Sequence, residues 1–108
     1  MTATLTPTQL SAVAERFKVL AEPARLRVLT ALRDGPRHVT ALVEATGLQQ
    51  ANLSRHLQQL YLHGFVARSR RGTFVHYAIA DSKVFALCEL MCSHVERSQR
   101  RARTQLGE

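Results

Sequence analysis

The chain has 108 residues, a formal net charge of +7 and a pI near 10.7. That length holds one domain rather than two, and 45% hydrophobic residues is a globular composition, which excludes disorder as the default. The excess of cations points to a polyanionic partner, meaning DNA, RNA or an anionic membrane surface. No apolar run approaches the roughly 20 residues of a bilayer span, and residues 1–7 lack the charged-then-apolar order of a signal peptide. Cys88 and Cys92 form no disulfide framework, so the chain reads as cytoplasmic, with reduced thiols.

The first element starts at Thr6-Pro7-Thr8, where a capping hydroxyl precedes an early proline. Leu10, Val13, Phe17 and Leu20 then recur at helical spacing to about residue 21. Pro23 interrupts the pattern and opens a second helix. Leu26, Leu29 and Leu32 form its apolar stripe, with Arg25, Arg27 and Arg33 outside, and Asp34-Gly35-Pro36 ends it. A short third helix, about 39–46, is expected to bury Ala41, Leu42 and Ala45 before a turn at Gly47. A fourth, about 49–63, sets Leu53, Leu57 and Leu60 on one face and stops at Gly64. Short helix, glycine turn and second helix together make a helix-turn-helix candidate.

The period then changes from helical to alternating. Residues 65–69 and 74–79 read as two strands, with Arg70-Arg71-Gly72-Thr73 as a basic hairpin tip. Asp81 or Ser82 caps a last helix carrying Val84, Leu87, Met91 and Val95, which ends in a basic tail of Arg97, Arg100, Arg101 and Arg103. The fold class is therefore mainly α with a small β-hairpin, as a single domain over 1–108 with flexible ends at about 1–6 and 100–108.

Charge placement sharpens the choice of partner. No acidic residue lies between Glu44 and Asp81, a stretch that holds Arg55, Arg68, Arg70 and Arg71 with His56, His63 and His76. On the fourth helix Ala51, Ser54, Arg55 and Gln58 lie opposite the leucines, Asn52 and His56 lie on one flank, and Gln49 and Gln50 open the helix. Amide side chains pair with adenine edges and arginine with guanine, while small residues allow close approach to a groove. Arg68, Arg70, Arg71 and Thr73 would meet backbone phosphates or the adjacent minor groove.

The run Phe17-Lys18-Val19-Leu20-Ala21-Glu22-Pro23-Ala24-Arg25-Leu26-Arg27-Val28-Leu29 resembles the opening signature of ArsR/SmtB-type repressors. So do Asn52-Leu53-Ser54-Arg55-His56-Leu57, Leu60, Gly64-Phe65-Val66, Arg71-Gly72 and Tyr77, and the resemblance covers roughly residues 10–95. It implies a winged helix-turn-helix homodimer joined through its first and last helices. It also implies binding to double-stranded operator DNA, released by an effector that is often a metal ion.

The resemblance also implies where ligands of such an ion would stand. The third-helix region has no thiol, and residues 1–16 contain neither Cys nor His. The last-helix positions read Asp81, Lys83, His94 and Arg97, so two cations replace two ligands and would repel a divalent ion. Cys88 and Cys92 remain, spaced i, i+4 on one face of the last helix. Gathered at a twofold axis, their thiols would suit a thiophilic metal or metalloid ion, with His94 as an extra ligand, or an oxidant or reactive sulfur species. Cysteine also packs as a small buried hydrophobe, which leaves a structural role open.

Neither a P-loop, a Rossmann glycine pattern nor HExxH is present, and Cys88 and His94 do not face each other on a helix, so no enzyme is indicated. Two readings stand. One is a sequence-specific repressor with a thiol-sensed effector. The other is an effector-independent regulator or architectural nucleic-acid-binding protein with structural cysteines.

Overall fold

The computed structural model describes residues 4–105. Helix α1 (Pro7–Leu20) begins in a capping box, with Thr6 Oγ1 accepting from the Gln9 amide at 3.1 Å and Gln9 Oε1 from the Thr6 amide at 2.8 Å. Helix α2 (Pro23–Ala31) has proline in its first turn, where a missing N–H costs nothing. Strand β1 (Arg37–His38) leads directly into α3 (Val39–Thr46), followed by α4 (Gln50–Leu62). Strands β2 (Val66–Arg71) and β3 (Phe74–Ile79) form the hairpin, and α5 (Lys83–Gln105) closes the chain. Asp81 caps α5, its Oδ1 accepting from the Lys83 amide at 2.9 Å.

The sheet is antiparallel with order β1-β3-β2. Arg37 pairs with Tyr77 and His38 with His76. In the hairpin the register runs from Val66↔Ile79 to Arg71↔Phe74. Two expectations are corrected here. The sheet has three strands rather than two, because the stretch before α3 extends against β3. The basic tip is also shorter than four residues: Arg70 and Arg71 are paired strand residues, and Gly72 with φ 63° carries the reversal with Thr73 alone.

The core gathers Val19 and Leu20 of α1, Val28, Leu29 and Leu32 around α2, Leu42 of α3, Leu53, Leu57 and Leu60 of α4, Val66 of β2 and Val84 of α5. Burying each leucine contributes about 1.5–3 kcal/mol, and α4 supplies three, so it is the best anchored helix. Ala45 is exposed, and Thr46 instead closes the inner face of α3. Leu26 is exposed at 37% and Leu10, Val13 and Phe17 at 39–54%, so the α1 stripe apart from Leu20 lies outside the core of a single chain. Helix α5 continues through residues 100–105, where the sequence predicts a flexible tail; residues 1–3 and 106–108, part of those expected ends, lie outside the described residues.

Candidate nucleic-acid interface

The α3–α4 turn is fixed by two residues. Gly47 adopts φ 74°, a left-handed conformation that L side chains disfavour by about 1–2 kcal/mol. Thr46 is buried, its hydroxyl donating to Leu42 O at 2.6 Å and accepting from the Leu48 amide at 3.3 Å. Arg27 donates from α2 to Thr46 O at 3.3 Å. The turn is thus tied to α3 on one side and α2 on the other, which sets the attitude of α4.

With Leu53, Leu57 and Leu60 buried, α4 turns Gln50, Ala51, Ser54, Arg55 and Gln58 to solvent, with its N-cap Gln49 also exposed. Asn52 and His56 are half-buried at the edge of this face. Arg55 Nη2 donates to Asn52 Oδ1 at 2.7 Å, one turn apart. His56 Nδ1 accepts from Arg25 Nε at 3.2 Å. Burial holds the His56 pKa below its ordinary value, helped by the positive charges of Arg25 and Arg55 and opposed by Glu22.

On the hairpin, Arg68, Arg70, Arg71 and Thr73 are all exposed. Alternation puts Arg68 and Arg70 on one face of the ribbon with Val75 and Tyr77, and Arg71 on the other. The Arg68 guanidinium lies over the Tyr61 ring, 4.0 Å from its centroid. This cation–π contact joins the hairpin to α4. The structure therefore brings the helix residues together on one face, and splits the hairpin residues between two.

Three arginines placed outside the α2 stripe by sequence are all engaged. Arg25 holds His56, Arg27 holds the turn, and Arg33 reaches Glu89 at 3.4 Å while lying 5.0 Å from the centroid of the Phe85 ring. Tyr61, under Arg68, was likewise not singled out. A polar flank on a helix gives no sign of such partners, because they come from elements distant in sequence.

The profile of the bacterial regulatory protein arsR family matches residues 22–68, which span α2 through the start of the hairpin. The HTH-type transcriptional regulator NmtR of Mycobacterium tuberculosis is 39% identical over 84 residues, covering 78% of this chain and 70% of that protein. The chain belongs to the ArsR family. Solved structures of ArsR-type proteins share its shape. One is the homodimeric winged helix-turn-helix DNA-binding domain of Mb0332 from Mycobacterium bovis, a possible ArsR-family regulator. It has a TM-score of 0.75 at 34% identity, with 89% of this chain and 95% of that one covered. Another is the antimony-specific transcriptional repressor AntR, with a TM-score of 0.75 at 34% identity and 92% and 90% covered. This ArsR-family chain is accordingly a winged helix-turn-helix DNA-binding transcriptional regulator and not an enzyme, with α3 and α4 as its helix-turn-helix and the hairpin as wing.

In this ArsR-family chain the two thiols lie in the N-terminal half of α5. Cys88 is half-buried and Cys92 exposed, and both are free. They line an apolar groove of 530 Å³ between α1 and α5, together with Phe17, Leu20, Leu87, Met91 and Val95. Cys92 Sγ lies 3.9 Å from Glu96 Oε1. His94 is exposed on the same helix. Among the described residues, no three of His, Cys, Asp and Glu in one chain are grouped to hold a metal ion, and no helix is long and apolar enough to cross a membrane.

Proposed function

We propose that this protein represses transcription by binding an imperfect inverted repeat of operator DNA as a homodimer, in the cytoplasm, with residues 1–108 acting as one domain. The observation that carries the reading is an exposed surface of α4 and the wing that holds no acidic residue. In it Gln49, Gln50, Ala51, Asn52, Ser54, Arg55, His56 and Gln58 enter the major groove, while Arg68, Arg70, Arg71 and Thr73 meet phosphates or the neighbouring minor groove. The dimer forms through α1 and α5. Their exposed Leu10, Val13, Phe17, Leu87, Met91 and Val95 make an apolar face too extensive to leave wet, and the similar Mb0332 domain is homodimeric. Twofold symmetry of the protein then gives twofold symmetry of the site.

Derepression is assigned to Cys88 and Cys92. What supports this is that both thiols line the α1–α5 groove; with the dimer closing there, ligation or oxidation would strain the pairing of recognition helices. Thiolates suit a thiophilic metal or metalloid ion, and AntR, similar over most of its length, is antimony-specific. His94 is the additional ligand, and oxidants or reactive sulfur would act on the same atoms. A second reading is favoured by the half-burial of Cys88 among apolar neighbours: structural cysteines in an effector-independent or architectural DNA-binding protein.

The test is DNA affinity at moderate salt for native protein and for Cys88→Ser/Cys92→Ser, on an inverted-repeat duplex from the protein's own promoter region and on random duplexes. Reductant, oxidant and a panel of thiophilic ions are compared. A specific repressor prefers the repeat, and the native protein alone releases it under at least one condition. Equal affinity for random duplexes overturns specificity, and identical behaviour of the two proteins assigns the thiols to structure.

A further inference from the structure

The contact between Arg25 and His56 spans 31 residues of sequence and joins α2 to the recognition helix. Arg25 is half-buried and its guanidinium is held twice: Nη1 donates to Val19 O, near the end of α1, at 3.2 Å, and Nε donates to His56 Nδ1 at 3.2 Å. A guanidinium has no acceptor, so Nδ1 must offer its lone pair, and the proton of the neutral ring resides on Nε2. Burial and the neighbouring charges of Arg25 and Arg55, against that of Glu22, favour this neutral ring. The imidazole borders a solvent-open cleft that it shares with Arg25, Ser54, Arg55, Gln58 and Gln59, on the same side as the exposed face of α4.

We infer that Arg25 is a positioning residue for DNA recognition, aiming the His56 ring and fixing its tautomer so that Nε2–H is presented to an acceptor on DNA. The inference rests on the reading that α4 enters the major groove. The acceptor is a backbone phosphate oxygen or a purine edge, N7 or guanine O6. Because Arg25 is itself anchored on the α1 carbonyl, the ring is oriented relative to the body of the domain and not only to its own helix. Lysine at position 25 would keep the charge but lose the fork that bonds Val19 O and His56 together.

The experiment combines a DNA-free and a DNA-bound measurement on the full chain. Long-range imidazole proton–nitrogen spectra of the free protein, above the His56 titration, are expected to show the Nε2–H tautomer in the native protein and a mixed or shifted signal in Arg25→Lys. Operator affinity is expected to fall about tenfold in Arg25→Lys, the scale of one well-placed hydrogen bond, with random-duplex affinity unchanged if the acceptor is a base edge and lowered by a similar factor if it is a phosphate. His56→Ala is expected to lose a similar factor, and Arg25→Lys/His56→Ala no more than the worse single variant. His56→Asn keeps an acceptor for Arg25 but has no Nε2, so it should lose operator affinity while folding normally. Methylphosphonate and 7-deazapurine substitutions in the duplex then identify the acceptor as phosphate or base, by which one abolishes the difference between native and His56→Ala. An Nδ1–H tautomer in the free protein, full operator affinity in Arg25→Lys, or losses that multiply in the double variant would overturn the proposal. If native protein shows no operator preference, the repressor reading fails, and the DNA-free spectra still decide whether Arg25 holds the ring.

Discussion

Replacing Thr46 by valine tests what holds the helix-turn-helix in shape. The side chains are nearly isosteric, so packing is preserved and the hydroxyl alone is removed. Two contacts go with it: the 2.6 Å bond to Leu42 O and the 3.3 Å bond from the Leu48 amide. Leu42 O keeps its place in the α3 backbone ladder and loses little. The Leu48 amide loses an acceptor in a half-buried position, and stranding such a donor costs about 1–3 kcal/mol. Allowing for the apolar methyl gained, Thr46→Val should destabilise by about 1–2 kcal/mol, a fall in Tm of about 5–10 °C for a domain this size. Thr46→Ser keeps both bonds and loses one methyl, about 0.8 kcal/mol. Urea denaturation at fixed protein concentration, with the midpoint shifting at constant slope, measures the difference. If Thr46→Ser proves the less stable of the two, the hydroxyl is not what secures the turn.

Gly47→Ala meets no atom within 4 Å at the new Cβ, so its cost is the φ of 74° alone. A net loss of about 1 kcal/mol is expected, also by urea denaturation, once the stiffer unfolded chain is counted. Arg70→Ala and Arg71→Ala should each reduce the slope of log Kobs against log salt by about 0.9 per wing that meets a phosphate, with little change in sequence preference. His56 has a folded pKa below its unfolded 6.5, so the unfolded chain binds the proton first. The stability associated with the neutral ring is present above pH 6.5 and is lost as pH falls through the lower folded value. Denaturation midpoints of native protein and His56→Asn should diverge in pH dependence within that interval, the native protein losing stability as pH falls, and should run parallel above and below it.

Helix order and the exposed face of α4 were legible because each depends on local chemistry. Thr6-Pro7, Pro23, Gly47 and Gly64 act through a cap, a missing donor or a positive φ, all written in neighbouring residues. The α4 leucines repeat often enough to fix which side faces out. β1 was not legible, since two residues carry no alternation and Arg37–His38 becomes a strand only because β3 arrives beside it. Ala45 and Thr46 exchanged expected places, for a two-turn helix has too few apolar positions to define its inner face, and the Thr46 hydroxyl is satisfied by its own backbone. The roles of Arg25, Arg27 and Tyr61 required tertiary contact. So did the exposure of Leu10, Val13 and Phe17, a stripe whose periodicity says that it is covered but not by what.

The direct passage from β1 into α3 matters for re-engineering this domain. His38 is at once the last residue of the edge strand and the N-cap of α3, so sheet and helix-turn-helix share a residue without a linker between them. Residues added at Gly72-Thr73 would lengthen the wing and extend its reach along DNA while leaving the helices alone. One residue added between His38 and Val39 would rotate α3 by about 100° against the sheet, carrying Leu42 out of the core and the reading helix off its groove. Reach and aim can therefore be altered separately: wing length is open to variation, whereas the junction before α3 tolerates none.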